Sequence, residues 1–321
     1  MSISNCFVPI LISLLLQRSV GVLSDPQVPA LFVFGDSLAD DGNNNYMSSI
    51  AKANYYPYGI DFFQGPTGRF GNGKTAVDIL WRKVQSKSAS TKLREQPEPA
   101  EIPDAGRRPE PTSRKIHRRL RHRHGSNDYI NNYLLPFLYP TRSNYTPEQY
   151  ANLLLNRYAR QLLALYDLGL RKFFLVGIGP LGCTPNQRAT GLGPPGRCVD
   201  QVNQMLGPFN VGLRTLAQQL NTNHPGAIFV YGNTYGALGD ILNNPSTYGF
   251  TVIDRACCGL GRNQGQITCL PFAVPCSNRD QHVFWDAFHP TQAVNMILAQ
   301  RAFTGPPTDC FPINVQQMAQ L

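Results

Sequence analysis

The chain is 321 residues long, 42% hydrophobic and 15% charged, enough apolar material for a substantial core, which excludes wholesale disorder. Its 28 Gly and 26 Pro lack the three-residue period of collagen, and no solenoid or propeller repeat stands out. The formal charge of +9 would ordinarily suggest an anionic partner, but residues 82–124 hold 13 of the 29 Lys and Arg and only 5 of the 20 Asp and Glu. The remaining chain is nearly neutral, so no nucleic-acid partner is expected.

Residues 7–16 form a short apolar run, followed by small residues in which Val22 and Ser24 fit the positions before a cleavage point. Residues 1–24 therefore read as a signal peptide and 25–321 as a single exported domain. No later stretch is apolar for long enough to cross a bilayer, so no integral membrane association is expected. Residues 30–35 (ALFVFG) are a continuous apolar run ending in Gly, the pattern of a strand buried on both faces.

Residues 82–124 interrupt this domain. They contain five Pro and end in HRRLRHRH, carry neither helical nor strand periodicity, and read as a solvated, disordered insert. Thr146-Pro147 then opens a helix, with Thr as cap and Pro at the first position. Tyr150, Leu154, Tyr158, Leu162 and Leu165 share one face, and the helix stops near Gly169. Residues 172–178 (KFFLVGI) form a second buried strand. Residues 200–220 read as a helix interrupted at Gly207-Pro208, 227–231 as a third strand, 237–243 as a short helix and 291–303 as a last amphipathic one. Strands alternating with helices predict an α/β fold around a mostly parallel sheet, with the site at the carboxyl ends of the strands.

Cys6 falls in the leader. The other seven cysteines, from Cys183 to Cys310, lie in the second half among Pro- and Gly-rich loops, a pattern that suits disulfides in an oxidising compartment. An odd number leaves at least one thiol free or paired between chains. No paired Cys and His spacing supports zinc. Asn144-Tyr145-Thr146 is a glycosylation sequon that export would make usable.

Three segments carry candidate chemistry. Ser37 stands immediately after the first predicted strand, where its side chain would reach a cleft and its own backbone N–H could point at a bound carbonyl. Asp286 and His289 lie three residues apart in a Pro-bounded loop, as a base and its orienting acceptor require. Asn127, in GSNDY, could donate its amide to a developing oxyanion.

These segments resemble the plant GDSL-type esterase/lipases of the SGNH hydrolase superfamily. The matching stretches are FVFGDSLADDGNNN (32–45), GPTGRFGNGKTAVD (65–78), GSNDYINNY (125–133), GIGPLGCTP (177–185), ACCG (256–259) and FWDAFHPTQAVN (284–295). The resemblance implies a three-layer α/β/α, flavodoxin-like domain without metal or cofactor, and hydrolysis of a small-molecule or lipid ester through an acyl-enzyme. Residue by residue, it makes Ser37 the nucleophile, His289 the general base and acid, and Asp286 the orienting carboxylate, with the Ser37 N–H and Asn127 as oxyanion donors.

The family's further block, which carries a Gly whose N–H is the remaining oxyanion donor, has no recognisable counterpart here; 82–124 stands in its place. The alternative reading is a catalytically impaired or non-catalytic, ligand-binding or unstable relative. The abrupt return to family-like sequence at Gly125 is what a misread frame or mis-spliced exon across 82–124 would produce.

Overall fold

In the computed structural model, residues 28, 30–85 and 125–321 are described. The expected signal peptide, and the basic segment from residue 86 to 124, lie outside them.

The main core is a helix pair against a small sheet. Helix α2 (Pro147–Asp167) follows a first helix, α1 (Ala76–Gln85), and starts as the sequence predicts. Thr146 Oγ1 accepts from the Gln149 N–H at 3.3 Å, and Gln149 Oε1 accepts from the Thr146 N–H at 2.9 Å, a reciprocal cap that satisfies two otherwise orphaned donors. Tyr150, Leu154, Leu162 and Leu165 are buried, and the helix ends at Leu168, before Gly169 at φ 100°. α2 packs on α3 (Asp200–Asn223). The predicted break at Gly207-Pro208 is absent. Pro208 removes one helical donor, but Leu206 and Phe209 on either side of this step are essentially fully buried, and their packing keeps the helix continuous.

Under this pair lie β1 (Lys172–Val176) and β2 (Ile228–Gly232), parallel and in register from Lys172 opposite Ile228 to Val176 opposite Gly232. Phe173 and Phe229 stack with ring centroids 4.5 Å apart. Helix α4 (Thr234–Asn243) follows β2. A second, two-stranded parallel sheet joins β3 (Val252–Ala256) to β4 (His282–Phe284). Helix α5 (Gln292–Thr304) leads to β5 (Cys310–Phe311), which is antiparallel to β2, and to α6 (Val315–Gln320). The described sheets are thus mixed, with both α/β units parallel and one short antiparallel edge.

Two expectations need correction. Residues 30–35 form no strand, and Leu31, Phe32, Val33 and Phe34 are each 43–51% exposed. An apolar run is buried on both faces only when strands ladder with it, and no described strand pairs with this one. β2 is likewise the only described strand beside β1, and Val176 is 52% exposed. Secondly, residues 82–85 are not part of an irregular insert but the last turn of α1, with Val84 buried. Arg82 and Lys83 suit the carboxyl end of a helix, where cations meet the negative pole of the dipole.

Candidate active site

The Ser37 turn is closed by the Ala39 N–H donating to the Asp36 carbonyl at 3.0 Å and the Leu38 N–H to Asp36 Oδ1 at 3.1 Å. A Cβ on Gly35 would lie 2.8 Å from the Ala39 Cβ, so the preceding Gly lets the turn fold back on itself.

On the other side, residues 285–290 form a tight loop between β4 and α5. The Trp285 N–H donates to the His289 carbonyl at 2.8 Å, and the Thr291 N–H to the Val283 carbonyl at 3.0 Å. Within the loop, Asp286 Oδ1 accepts from the backbone N–H of Phe288 at 2.9 Å and of His289 at 2.8 Å. His289 Nδ1 lies 2.8 Å from both Asp286 oxygens, and its Nε2 lies 2.7 Å from Ser37 Oγ. Three side chains separated by 252 residues of sequence thus form one continuous hydrogen-bonded chain. Asp286 is fully buried and His289 nearly so, while Ser37 is half-buried.

Burial alone would raise the Asp286 carboxyl, but the charge and hydrogen bond of His289, together with Tyr58 and the Phe288 N–H, hold it below the ordinary carboxylate value. Burial likewise works against the His289 imidazolium. The charge and hydrogen bond of Asp286 outweigh it, Asp36 adds to them, and His289 stands above the ordinary histidine value. The arrangement stabilises an imidazolium beside a hydroxyl, which is what a serine must have to give up its proton.

Two braces, neither assigned that role from the sequence, hold this loop. Tyr58, 2% exposed, donates its hydroxyl to Asp286 Oδ2 at 2.6 Å. It sits in YYPYG, outside every matched motif, and its partner is 228 positions away, so no local pattern pointed to it. The second brace is the GRFGNGK stretch. Asn72 is fully buried; its Oδ1 accepts from the Gln292 N–H and its Nδ2 donates to Asp61 Oδ2, each at 2.8 Å. Gln292 Oε1 returns to the Lys74 N–H at 2.7 Å, tying the start of α5 to this stretch. The Phe70 ring lies 5.1 Å from the His289 ring.

Asn127 is less engaged. It lies exposed in a helical turn (Ser126–Asp128), where its Oδ1 accepts from Asn131 Nδ2 at 3.3 Å, and no described hydrogen bond joins it to Ser37 or His289. Six cysteines form the disulfides Cys183–Cys198, Cys257–Cys276 and Cys258–Cys269, and the buried Cys310 is a free thiol. The latter two disulfides abut the loop: the Cys257 N–H donates to the Phe284 carbonyl and the Cys258 N–H to the Trp285 carbonyl, at 3.0 and 2.7 Å. Asn144, the sequon residue, is exposed. Among the described residues no His, Cys, Asp and Glu cluster is placed to hold a metal ion, and no helix is long and apolar enough to cross a membrane.

A family profile described as GDSL-like Lipase/Acylhydrolase matches residues 123–302. Three Arabidopsis thaliana proteins, each named a GDSL esterase/lipase, are similar over nearly the whole chain. One is 50% identical, covering 97% of this chain and 94% of its own. A second is 48% identical (91% and 88%) and a third 45% identical (96% of each). These alignments run over 358, 338 and 350 positions, more than the 321 residues of this chain, so each relative carries residues that have no counterpart here.

Proposed function

The chain belongs to the GDSL-like lipase/acylhydrolase family, and on that premise we propose that it hydrolyses carboxylic esters with Ser37 as nucleophile, His289 as general base and acid, and Asp286 as the carboxylate that orients His289. One observation carries the reading: a single imidazole has its Nε2 on the Ser37 hydroxyl and its Nδ1 on a buried carboxylate.

The steps follow from that geometry. As Ser37 Oγ attacks the ester carbonyl carbon, its proton passes to His289 Nε2, and the carbonyl oxygen becomes an oxyanion. Collapse of the tetrahedral intermediate breaks the C–O bond to the alcohol, which leaves with the proton from His289, and the acyl group stays on Ser37. Water then attacks the acyl-enzyme. His289 takes the water proton and returns it to Ser37 Oγ as the acid departs. Asp286 remains ionised throughout and stabilises the imidazolium.

We assign the Ser37 N–H and the Asn127 amide to the oxyanion. Asn131 engages the acceptor end of the Asn127 carboxamide, which leaves the donor end for the intermediate. We place the family's remaining Gly donor among the residues that the relatives carry and this chain lacks. A missing donor lowers turnover by about 10²–10³-fold without removing nucleophile, base or carboxylate. The reading extends to a single three-layer, flavodoxin-like domain, made as residues 25–321 after loss of a leader, exported and open to glycosylation at Asn144. Three disulfides support the oxidising compartment. The substrate is a small-molecule or lipid ester.

Hydrolysis of a short p-nitrophenyl ester by the purified chain, beside Ser37→Ala, tests the assignment. Turnover should fall at least about 10³-fold in the variant. An unchanged rate in the folded variant would overturn it.

A further inference from the structure

We propose that Tyr58 is a positioning residue for ester hydrolysis, its hydroxyl fixing the Asp286 carboxylate that in turn fixes His289. This rests on the roles proposed above for Ser37, His289 and Asp286.

The Tyr58 hydroxyl is 2.6 Å from Asp286 Oδ2, and both residues are buried. The two backbone donors in the loop, Phe288 and His289, both serve Oδ1. Oδ2 has His289 Nδ1 and Tyr58, so Tyr58 supplies a donor that the loop itself does not. The ring is gripped edge-on by Tyr55, Phe70 and Trp285, at centroid distances of 5.3, 6.1 and 6.1 Å. Tyr55 donates its own hydroxyl to the Cys269 carbonyl at 2.8 Å, anchoring this cluster to the Cys258–Cys269 disulfide. Burial, followed by the neighbouring Asp286 charge, pushes the Tyr58 hydroxyl well above its ordinary value, so it stays protonated and remains a donor.

A hydroxyl donated to a carboxylate spreads part of its negative charge. Without it, the Asp286 charge falls more fully on His289, and the imidazolium holds its proton more tightly. The titratable groups that bear on this pair are few: Asp36 on His289, and Tyr55 and Tyr58 on Asp286. A purely structural role would change melting temperature but not the protonation of His289.

The experiment is the pH profile of kcat/KM for wild type, Tyr58→Phe and Ser37→Ala on the same soluble ester. In wild type, activity falls as pH drops through the His289 pKa, which lies above the ordinary 6.5. Tyr58→Phe should move that acidic limb upward by about half a pH unit and lower the plateau roughly tenfold, one hydrogen bond to a charged group. A folded Tyr58→Phe with the wild-type limb would overturn the proposal. Should Tyr58→Phe fail to fold, 3-fluorotyrosine incorporated at position 58 keeps the shape and strengthens the donor. The limb then moves downward if Tyr58 acts through Asp286 and stays in place if it does not. Ser37→Ala separates the two readings: loss of activity there with an unmoved limb at position 58 refutes only the role of Tyr58, whereas full activity in Ser37→Ala refutes the nucleophile itself.

Discussion

Asp286 and His289 sit in a loop held from several sides, whereas Ser37 follows a stretch that no described strand ladders. Behind the loop stand Tyr58, the Asn72–Gln292 exchange and two disulfides. Ahead of Ser37, residues 31–34 carry four large apolar side chains that are about half exposed. The Asp286–His289 side of the site is therefore set by local hydrogen bonds and a buried cluster, and the Ser37 side is joined to it by few links. The Arg69–Asp78 pair is foremost among them. Arg69 Nε and Nη2 donate to the two Asp78 oxygens at 2.9 and 2.8 Å, and its Nη1 reaches the Asp41 carbonyl at 3.2 Å. It ties the segment after Ser37 to the start of α1.

If the two sides depend on that joint, Arg69→Met should have the largest effect on stability. The pair is buried, and removing one partner strands the other's charge, at a cost of about 3–5 kcal/mol. Asp78→Asn added to Arg69→Met should restore part of the loss, because no unpaired charge remains. Denaturant unfolding at neutral pH measures both. Burial would raise the Asp78 carboxyl, yet Arg69 and Thr75 hold it below the ordinary value. A carboxyl depressed in the folded state contributes stability above its unfolded pKa and loses it as pH falls through the folded one. Wild type should therefore lose more stability on acidification than Arg69→Met does. A single-site loss below about 1 kcal/mol would mean that the two sides stand independently.

Removing the Cys258–Cys269 disulfide should come next. It closes a short loop of 11 residues, for which chain entropy gives about 3 kcal/mol. It also anchors the carbonyl that holds Tyr55. Replacing both cysteines by Ser should lower the melting temperature and reduce activity further than the stability loss accounts for at a temperature where the protein stays folded. A change in stability alone would separate the disulfide from the site.

What could be read from the sequence follows the same division. That Asp286 and His289 can pair was legible because a carboxylate and an imidazole three residues apart meet within one loop, and the Thr146 cap and the α2 face were legible because their residues recur three or four positions apart. Tyr58 was not, since its partner is 228 positions away and no matched motif contains it. β4 was missed because three residues cannot display a period. Residues 30–35 were read too strongly: apolar composition permits a buried strand, but only ladder partners make one. Gly207-Pro208 shows the reverse, a local breaker overruled by tertiary packing around Leu206 and Phe209.

The smallest effect gives the sharpest test of that difference. Phe32 is 51% exposed, so Phe32→Ser forfeits about half of the roughly 1.5–3 kcal/mol of a fully buried Phe, and the loss should stay below about 1.5 kcal/mol. A Phe at the centre of a sheet would cost about 3–5 kcal/mol on truncation, from lost transfer and the cavity left behind. Urea unfolding with an unchanged slope reads the difference directly. A loss under about 1.5 kcal/mol means that Ser37 is held in place from its own turn and from Arg69, not by a sheet beneath it. A loss above 3 kcal/mol would mean that residues 30–35 are laddered after all, and that both sides of the site are braced alike.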